Sequence, residues 1–287
     1  MQRRSRIIFD TSGLNALADD PESQLIAKGL SVGFQVRVSE TNICEVVATS
    51  KAERRLRLLD LCRHLIHAGE GINPYHEILQ QLSRAHAANP SGFDWRRVDV
   101  RWPELEAEIA RREFLEDAEL ADEVRTDNRS SNKQFLEMWR DARVKFEPVL
   151  RAEGAEAISV TAAFEVLEAE GGPLWRLAAN IYKTTTGIEL SETEAKSFVD
   201  ACPPAKAMLL ANCVGQYHWG LKDAMEDARY KAGRLDLFMA TYLPYCDRFI
   251  TKDPGQYNAL GLVAERAGLA TEVCMYADFR DGFLIAA

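Results

Sequence analysis

The sequence predicts an α/β protein with a parallel central sheet, helices on both faces of that sheet, and an all-helical insertion. Three observations predict it. Short apolar runs alternate with helical patterns in the first third of the chain, and the same alternation returns at its end. Strands that alternate with helices indicate parallel pairing. The middle of the chain has helical spacing without a strand pattern, so residues 1–90 and 216–287 form the predicted core and 91–215 the insertion.

The first part of the predicted core contains two strands. Residues 6–10 form a short apolar run that ends in an acid, and residues 35–39 alternate between apolar and polar side chains. Both patterns are typical of strands. Thr41 is a suitable N-cap for one long helix that ends at Gly69. Shorter helices are predicted after the turn at 11–13, at 23–30 and at 75–88.

The insertion is predicted to be a helical subdomain. Residues 94–101 form an arginine-rich loop, and residues 103–123 a helix with nine acids against two arginines. Further helices are predicted at 135–151, 158–170, 174–182, 192–199 and 205–219. A segment this long is not a loose loop in a compact domain, so we expect it to have a small core of its own and to lie beside the site as a lid or wall. The expected core residues are Phe135, Trp139, Phe146, Phe164, Trp175 and Leu209.

The last part of the chain returns to the α/β pattern. Residues 235–243 repeat apolar side chains at helical spacing, and Asp236 stands at the start of that helix. A short strand is predicted at 248–251, a helix at 257–267 and a final strand at 272–276. The two ends of the chain must therefore pair in one sheet.

Composition limits the class of protein. The 287 residues are 47% apolar and 28% charged, which is ordinary for a folded domain. No apolar run is long enough for a membrane span or for a signal peptide, so we expect a cytoplasmic protein. The six cysteines form no CxxC pair, which excludes zinc-ribbon spacing and favours buried thiols. The net charge of −9 counts against a broad nucleic-acid groove built on charge alone.

Four carboxylates occupy positions from which they can meet. Asp10 and Asp253 follow predicted strands, Asp236 opens a helix, and Glu45 is expected in the first turn of the long helix. Ligand sites of open α/β sheets form at the carboxyl ends of strands. Like charges at close range need a cation or a proton between them, and Mg²⁺ or Mn²⁺ bind through carboxylates, water and substrate phosphate. The cluster therefore points to metal-assisted phosphoryl chemistry.

Four segments resemble, in order and character, the motifs of PIN-domain nucleases. They are IIFDTS at 7–12, SETNICEVV at 39–47, GRLDLFMATYL at 233–243 and DRFITKD at 247–253. The resemblance implies a metal-dependent endonuclease, acting on RNA in preference to DNA, with Mg²⁺ or Mn²⁺ held by carboxylates that activate a water. The implied catalytic and metal-binding residues are Asp10, Glu45, Asp236 and Asp253, and the supporting hydroxyls are Ser12 and Thr251. Compact toxin-type PIN ribonucleases lack a long helical insertion, so the resemblance does not identify the substrate of this chain.

The same residues allow other readings. Asp10 is also a suitable helix cap, and Glu40 competes with Glu45 for the site. Lys252, Arg54 and Arg55 are weak candidates for contacts with substrate phosphates, and a solvated face explains them as well.

Two other function classes remain beside the nuclease. One is a PIN-like nucleic-acid-binding or scaffold protein with little catalysis, which the negative charge favours; a protein inhibitor or partner is compatible with either class. The other is a phosphatase, which normally needs an Asp-x-Asp turn. Ser12 stands where the second aspartate of that turn is required, so we favour the nuclease.

Overall fold

Parallel strands from both ends of the chain form one sheet. A computed structural model describes residues 4–110, 117–152, 159–218 and 233–286. Its strands are β1 (Ser5–Phe9), β2 (Phe34–Ser39), β3 (Glu70–Ile72), β4 (Arg248–Thr251) and β5 (Glu272–Met275). They lie in the order β3-β2-β1-β4-β5, and every pairing is parallel. Because β1 pairs with both β2 and β4, the first and last parts of the chain meet as predicted.

Helices connect the strands and cover both faces of the sheet. Those before the insertion are α1 (Thr11–Asp19), α2 (Ser23–Gly33), α3 (Glu40–Val47), α4 (Ala52–Ala68) and α5 (Tyr75–Ala88). The middle of the chain contributes α6 (Glu104–Ala110), α7 (Ala118–Ala152), α8 (Val160–Glu168), α9 (Pro173–Thr186), α10 (Glu192–Ala201) and α11 (Pro203–Gln216). The last part contributes α12 (Arg234–Phe238), a 3₁₀ segment (Met239–Tyr245), α13 (Pro254–Ala267) and α14 (Tyr276–Ala286). The predicted α/β fold with a helical insertion is confirmed.

The described helices include none with both the length and the apolar character needed to cross a membrane. All six cysteines are free thiols, and four of them are buried.

The insertion shares its core with the sheet. Ile8 of β1 and Phe249 of β4 lie in one apolar cluster with Phe135, Phe164 and Leu209 of the insertion. The prediction of a separate insertion core is therefore wrong for these residues. Trp175 packs against the same cluster. The side chains of Trp139 and Phe146 lie outside the part of the chain that the structure describes. The physical reason is that parallel strands are buried on both faces, and this face of the sheet needs the insertion as part of its cover.

The other face of the sheet is covered mainly by the first helices and the last one. Ile7 and Phe9 alternate with Ile8 and point to this side, where α1 to α4 pack. Phe279 of α14 contacts the edge of the Phe9 ring, with centroids 5.7 Å apart. The sequence pattern predicts neither α14 nor β3. A three-residue strand shows no periodicity. At Gly71 of β3 a Cβ would lie 2.8 Å from the Trp102 carbonyl oxygen.

The start of α3 differs from the prediction in two ways. Ser39, not Thr41, caps the helix: its Oγ accepts from the Asn42 backbone N–H (3.2 Å), and the Asn42 Oδ1 accepts from the Ser39 N–H (3.0 Å). The predicted single long helix is instead two helices, because the chain turns after Val47. In that turn, the carbonyl of Thr49 accepts a hydrogen bond from the Arg55 guanidinium (3.0 Å). Glu45 consequently lies in the second turn of α3, not the first.

Candidate active site

Three neighbouring strands bring the candidate residues to one edge of the sheet. Asp10 follows β1 directly, Asp253 comes two residues after β4, and α3 begins where β2 ends. The carboxyl ends of adjacent parallel strands meet at the same edge, which is the usual place of ligand sites in open α/β sheets. The backbone N–H of Asp10 donates to the Ile250 carbonyl at 3.0 Å, so the ends of β1 and β4 are held together.

Asp10 is the most buried of the four predicted carboxylates, with 4% of its surface exposed. Its Oδ1 accepts from the Gly13 backbone N–H (2.6 Å) and from the Ser12 hydroxyl (3.0 Å), and its Oδ2 accepts from the Thr251 hydroxyl (3.0 Å). Ser12 and Thr251 thus make the contacts that the resemblance implies. Asp10 also caps α1. Its role as a helix cap is therefore compatible with its position at the edge of the sheet.

Glu45 reaches the same edge from α3. The hydroxyl of Thr11, next to Asp10 in the chain, donates to Glu45 Oε2 at 2.6 Å. Glu40, the competing acid, instead accepts from the thiol of Cys44 on its own helix. The structure therefore brings Glu45 next to the Asp10 turn, while Glu40 is engaged elsewhere.

Asp236 and Asp253 are linked by a buried glutamine. Asp253 Oδ1 accepts from the Gln256 backbone N–H (2.8 Å), which caps α13. The Gln256 side chain, with no exposed surface, contacts the Thr251 hydroxyl (2.9 Å) and donates to the Asp236 carbonyl (3.3 Å). The Asp236 carboxylate accepts from the Gly233 backbone N–H at 2.7 Å. The start of α12 is thereby fixed against the start of α13.

The four acids are electrostatic neighbours. Burial raises the pKa of Asp10 to about 7, against hydrogen bonds from Gly13, Ser12 and Thr251, and the charge of Asp236 raises it further. Burial also raises the pKa of Glu45 to about 7; the charges of Asp236 and Asp10 add to this effect, and the hydrogen bond from Thr11 opposes it. Burial raises the pKa of Asp236, and the charge of Asp253 contributes. Ionisation of Asp10, Glu45 and Asp236 together therefore needs a counter-charge nearby.

The donor set suits a hard divalent cation, although it is not arranged as a finished metal site. Carboxylate oxygens are the ligands that Mg²⁺ and Mn²⁺ prefer. Among the described residues, however, no three His, Cys, Asp or Glu side chains stand ready to hold a metal ion. Three of the acids have an oxygen engaged with a backbone N–H. A carboxylate has further lone pairs for a cation, so the residues present fit such an ion in chemistry.

A cleft opens beside Glu45 and Asp236, and one of its walls belongs to the insertion. Its volume is about 340 Å³. The core side is formed by α3 and by the start of α12, including Arg234. The opposite wall is α7, which contributes Arg125, Asn128, Arg129 and Asn132. These four positions recur at helical i, i+3, i+4 and i+7 spacing, so they form one polar stripe. The insertion therefore lies beside Glu45 and Asp236 in the structure.

The residues predicted to bind substrate have mixed surroundings. Lys252 is exposed, and its backbone N–H donates to Ser12 Oγ at 2.8 Å. Arg54 donates to Asn15 (3.1 Å) and pairs with an acid on α1. Arg55 is only 3% exposed and donates to a backbone carbonyl, so its place inside the fold argues against contact with a substrate.

Several residues that position the candidate carboxylates were not predicted from the sequence. Thr11 holds Glu45, and Gln256 joins Thr251 to the backbone of Asp236. Asn42 donates to the Phe9 carbonyl at 3.0 Å and so ties α3 to the end of β1. The sequence contains a signal for Asn42 and for Gln256. Each follows a capping residue, Ser39 or Asp253, at the three-residue spacing of a capping pair.

No protein-family model, curated protein or solved structure matches this chain.

Proposed function

We propose that this protein is a metal-dependent endonuclease with a PIN-like core, which hydrolyses phosphodiester bonds of RNA. The observation that carries the proposal is the convergence of Asp10, Glu45 and Asp236 at the carboxyl end of the central strand, beside an open cleft. The order of the four motifs supports the PIN-like assignment. Free thiols are typical of a reducing compartment, which supports a cytoplasmic location.

Each residue has a chemical role in this proposal. Asp10, Glu45, Asp236 and Asp253 would hold Mg²⁺ or Mn²⁺, and such an ion lowers the pKa of a water and offsets the charge of a phosphodiester. Ser12 and Thr251 orient the Asp10 carboxylate through their hydroxyls. Gln256 keeps the Asp236 segment at a fixed distance from β4. These side chains are held by caps and by buried hydrogen bonds, so little reorganisation is needed when substrate arrives.

A nuclease assay tests the proposal. The full chain is incubated with single-stranded and structured RNA in Mn²⁺ or in EDTA, and wild type is compared with Asp10→Asn. We expect cleavage only with Mn²⁺, and a loss of about a hundredfold or more in the variant. Glu272→Gln is the matched control, because Glu272 is an exposed acid at the amino end of β5, paired with Arg248. Cleavage that survives EDTA or Asp10→Asn would overturn the proposal.

The second candidate function is a nucleic-acid-binding or scaffold protein with little catalysis. One observation favours it: Asp10, Asp236 and Asp253 each serve a backbone N–H as helix caps, a structural role that needs no metal. Under this alternative, wild type binds RNA in Mn²⁺ without cutting it, and Asp10→Asn binds as well as wild type.

A further inference from the structure

The insertion presents an unusual set of cations to the candidate site. The chain has a net charge of −9, yet Arg125 and Arg129 of α7 and Arg234 of the core all line the cleft that contains Glu45 and Asp236. The predicted acidic helix at 103–123 ends before this stripe begins. A phosphodiester that approaches the four carboxylates is repelled by them, so cations in the same cleft are what an anionic substrate needs.

Two of these arginines have hydrogen-bonding groups without a partner. Within the described residues, the Nε of Arg125 and the Nε of Arg234 are buried and donate to no acceptor. A buried donor without a partner is costly, and native structures satisfy most such groups. A phosphate oxygen in the cleft is a suitable acceptor for either guanidinium once the arginine side chain turns toward it.

The present contacts of these arginines are weak enough to be exchanged. Arg125 pairs with Asp122, whose side chain is 73% exposed, and exposed ion pairs contribute little. The guanidinium of Arg234 lies 5.7 Å from the centre of the Phe238 ring, and its charge lowers the pKa of Glu45. Arg234 therefore lines the cleft together with Glu45 and Asp236 and lies close enough to Glu45 to act on its charge.

Cleft size and side-chain chemistry limit the substrate. About 340 Å³ is near the lower end of ordinary ligand sites, which span roughly 300–1,000 Å³. We expect such a cleft to take one nucleotide of a flexible single strand more readily than a stiff duplex. Asn128 and Asn132 lie on the same stripe and offer amide donors and acceptors, which suit base edges and the 2′-hydroxyl of RNA.

We propose that the polar stripe of α7 is the substrate wall of this protein, and that Arg125, Arg129 and Arg234 bind the phosphates of a single RNA strand lying across the carboxylates. The inference rests on the proposed nuclease function. It assigns to the insertion the selection of single-stranded over duplex substrate, and it makes the insertion necessary for binding.

Binding is measured separately from cleavage. A short fluorescein-labelled oligoribonucleotide of mixed sequence is titrated with the full chain in the Asp10→Asn background with Mn²⁺, by fluorescence anisotropy. Arg125→Gln and Arg129→Gln are each expected to raise Kd about tenfold, since a charge-assisted hydrogen bond is lost. Each should also lower the slope of log affinity against log salt by roughly one. Arg125→Lys retains the charge and should recover part of the affinity.

Arg248→Gln is the matched control. Arg248 is an arginine at the amino end of β4, exposed and paired with Glu272, at the opposite end of the sheet from Asp10. Its Kd and salt slope should equal those of the parent protein. Melting curves of all variants check that the α7 substitutions leave the fold intact.

The outcomes separate the two proposals. If Arg125→Gln and Arg129→Gln bind RNA like Arg248→Gln, or if duplex RNA or single-stranded DNA binds more tightly than single-stranded RNA, the substrate wall is overturned, whatever the nuclease assay shows. If the arginine variants lose binding but wild type never cuts RNA with Mn²⁺, the wall stands and the nuclease proposal fails. Loss of both binding and cleavage in the arginine variants supports both.

Discussion

The two walls of the cleft hold their charges in different ways. At the sheet edge next to the core wall, Asp10 is 4% exposed and its carboxylate accepts from one backbone N–H and two hydroxyls. On the insertion wall, Arg125 is 27% exposed and its Nε has no partner among the described residues. Buried, capped carboxylates keep one geometry, whereas long arginine side chains adapt to a flexible strand. Under the proposed function, the rigid carboxylates carry the chemistry and the adaptable arginines carry the recognition of the substrate.

Removal of the insertion is expected to have the largest effect. Phe135, Phe164 and Leu209 pack in the same cluster as Ile8 and Phe249, so a Gly-Ser linker in place of residues 91–215 uncovers one face of the sheet. We expect the shortened chain to lose its cooperative thermal transition, measured by circular dichroism. A cooperative transition near that of the full chain would show that the core folds without the insertion, which would fit the predicted separate insertion core.

Loss of the Thr251 hydroxyl tests the rigidity of the core wall. Thr251→Val removes the contacts with Asp10 and Gln256 without changing the number of charges. Substitution of a residue that orients a ligand typically costs about tenfold to a hundredfold in activity, so kcat on RNA should fall by that factor while KM stays near its wild-type value. Thr271→Val is the control, because the hydroxyl of Thr271, just before β5, donates to the backbone carbonyls of Leu243 and Cys246. An unchanged kcat would contradict the positioning role.

The raised pKa values of Asp10 and Glu45 predict a pH-dependent stability of the metal-free protein. Between the ordinary pKa near 4 and the folded value of about 7, the native state holds more protons than the unfolded state. The free energy of unfolding contributed by these groups therefore falls as pH rises through this range, and the loss is complete above pH 7. Asp10→Asn should lose less stability than wild type over the same range, and melt no lower in EDTA at pH 8.

A bound cation should reverse this loss. In Mn²⁺ at pH 8, wild type should gain roughly 5 °C in Tm by mass action, and less at pH 5, where protons compete. Asp10→Asn should lose most of the gain, while Glu272→Gln retains it. If Asp10→Asn instead melts well below wild type in EDTA, Asp10 is mainly a helix cap.

Two matched helix caps give the smallest predicted effect. Ser39 caps α3 beside the site and Ser191 caps α10 in the insertion, both within capping boxes. Loss of either hydroxyl should cost about 1 kcal/mol, or a few degrees in Tm. Only Ser39→Ala should also lower the cleavage rate, because α3 carries Glu45. Equal rates in the two variants would show that the α3 start does not position the site.

Much of the site could be located from the sequence because its signals are local. Asp10 and Asp253 each follow an apolar run and precede a helix, and that pattern alone places them at strand ends. The position of Glu45 on its helix was predicted less well, because the cap is Ser39 instead of Thr41, and a shift of two residues is about half a turn. Thr11 and Gln256 were missed, since their partners come from distant segments: Thr11 contacts Glu45, and Gln256 contacts the backbone of Asp236.

By itself, the sequence determined the alternation of strands and helices and the residue types at the strand ends, because short-range periodicity and capping depend on neighbouring residues alone. Only the tertiary structure decided what those ends face. It placed the Arg125–Arg129 stripe across from Glu45 and Asp236, although more than a hundred residues separate the stripe from Asp236 along the chain. It also made the insertion part of the cover of the sheet. The physical reason is that a parallel sheet is buried on both faces, and the helices nearest to the strands in sequence cover mainly one of them.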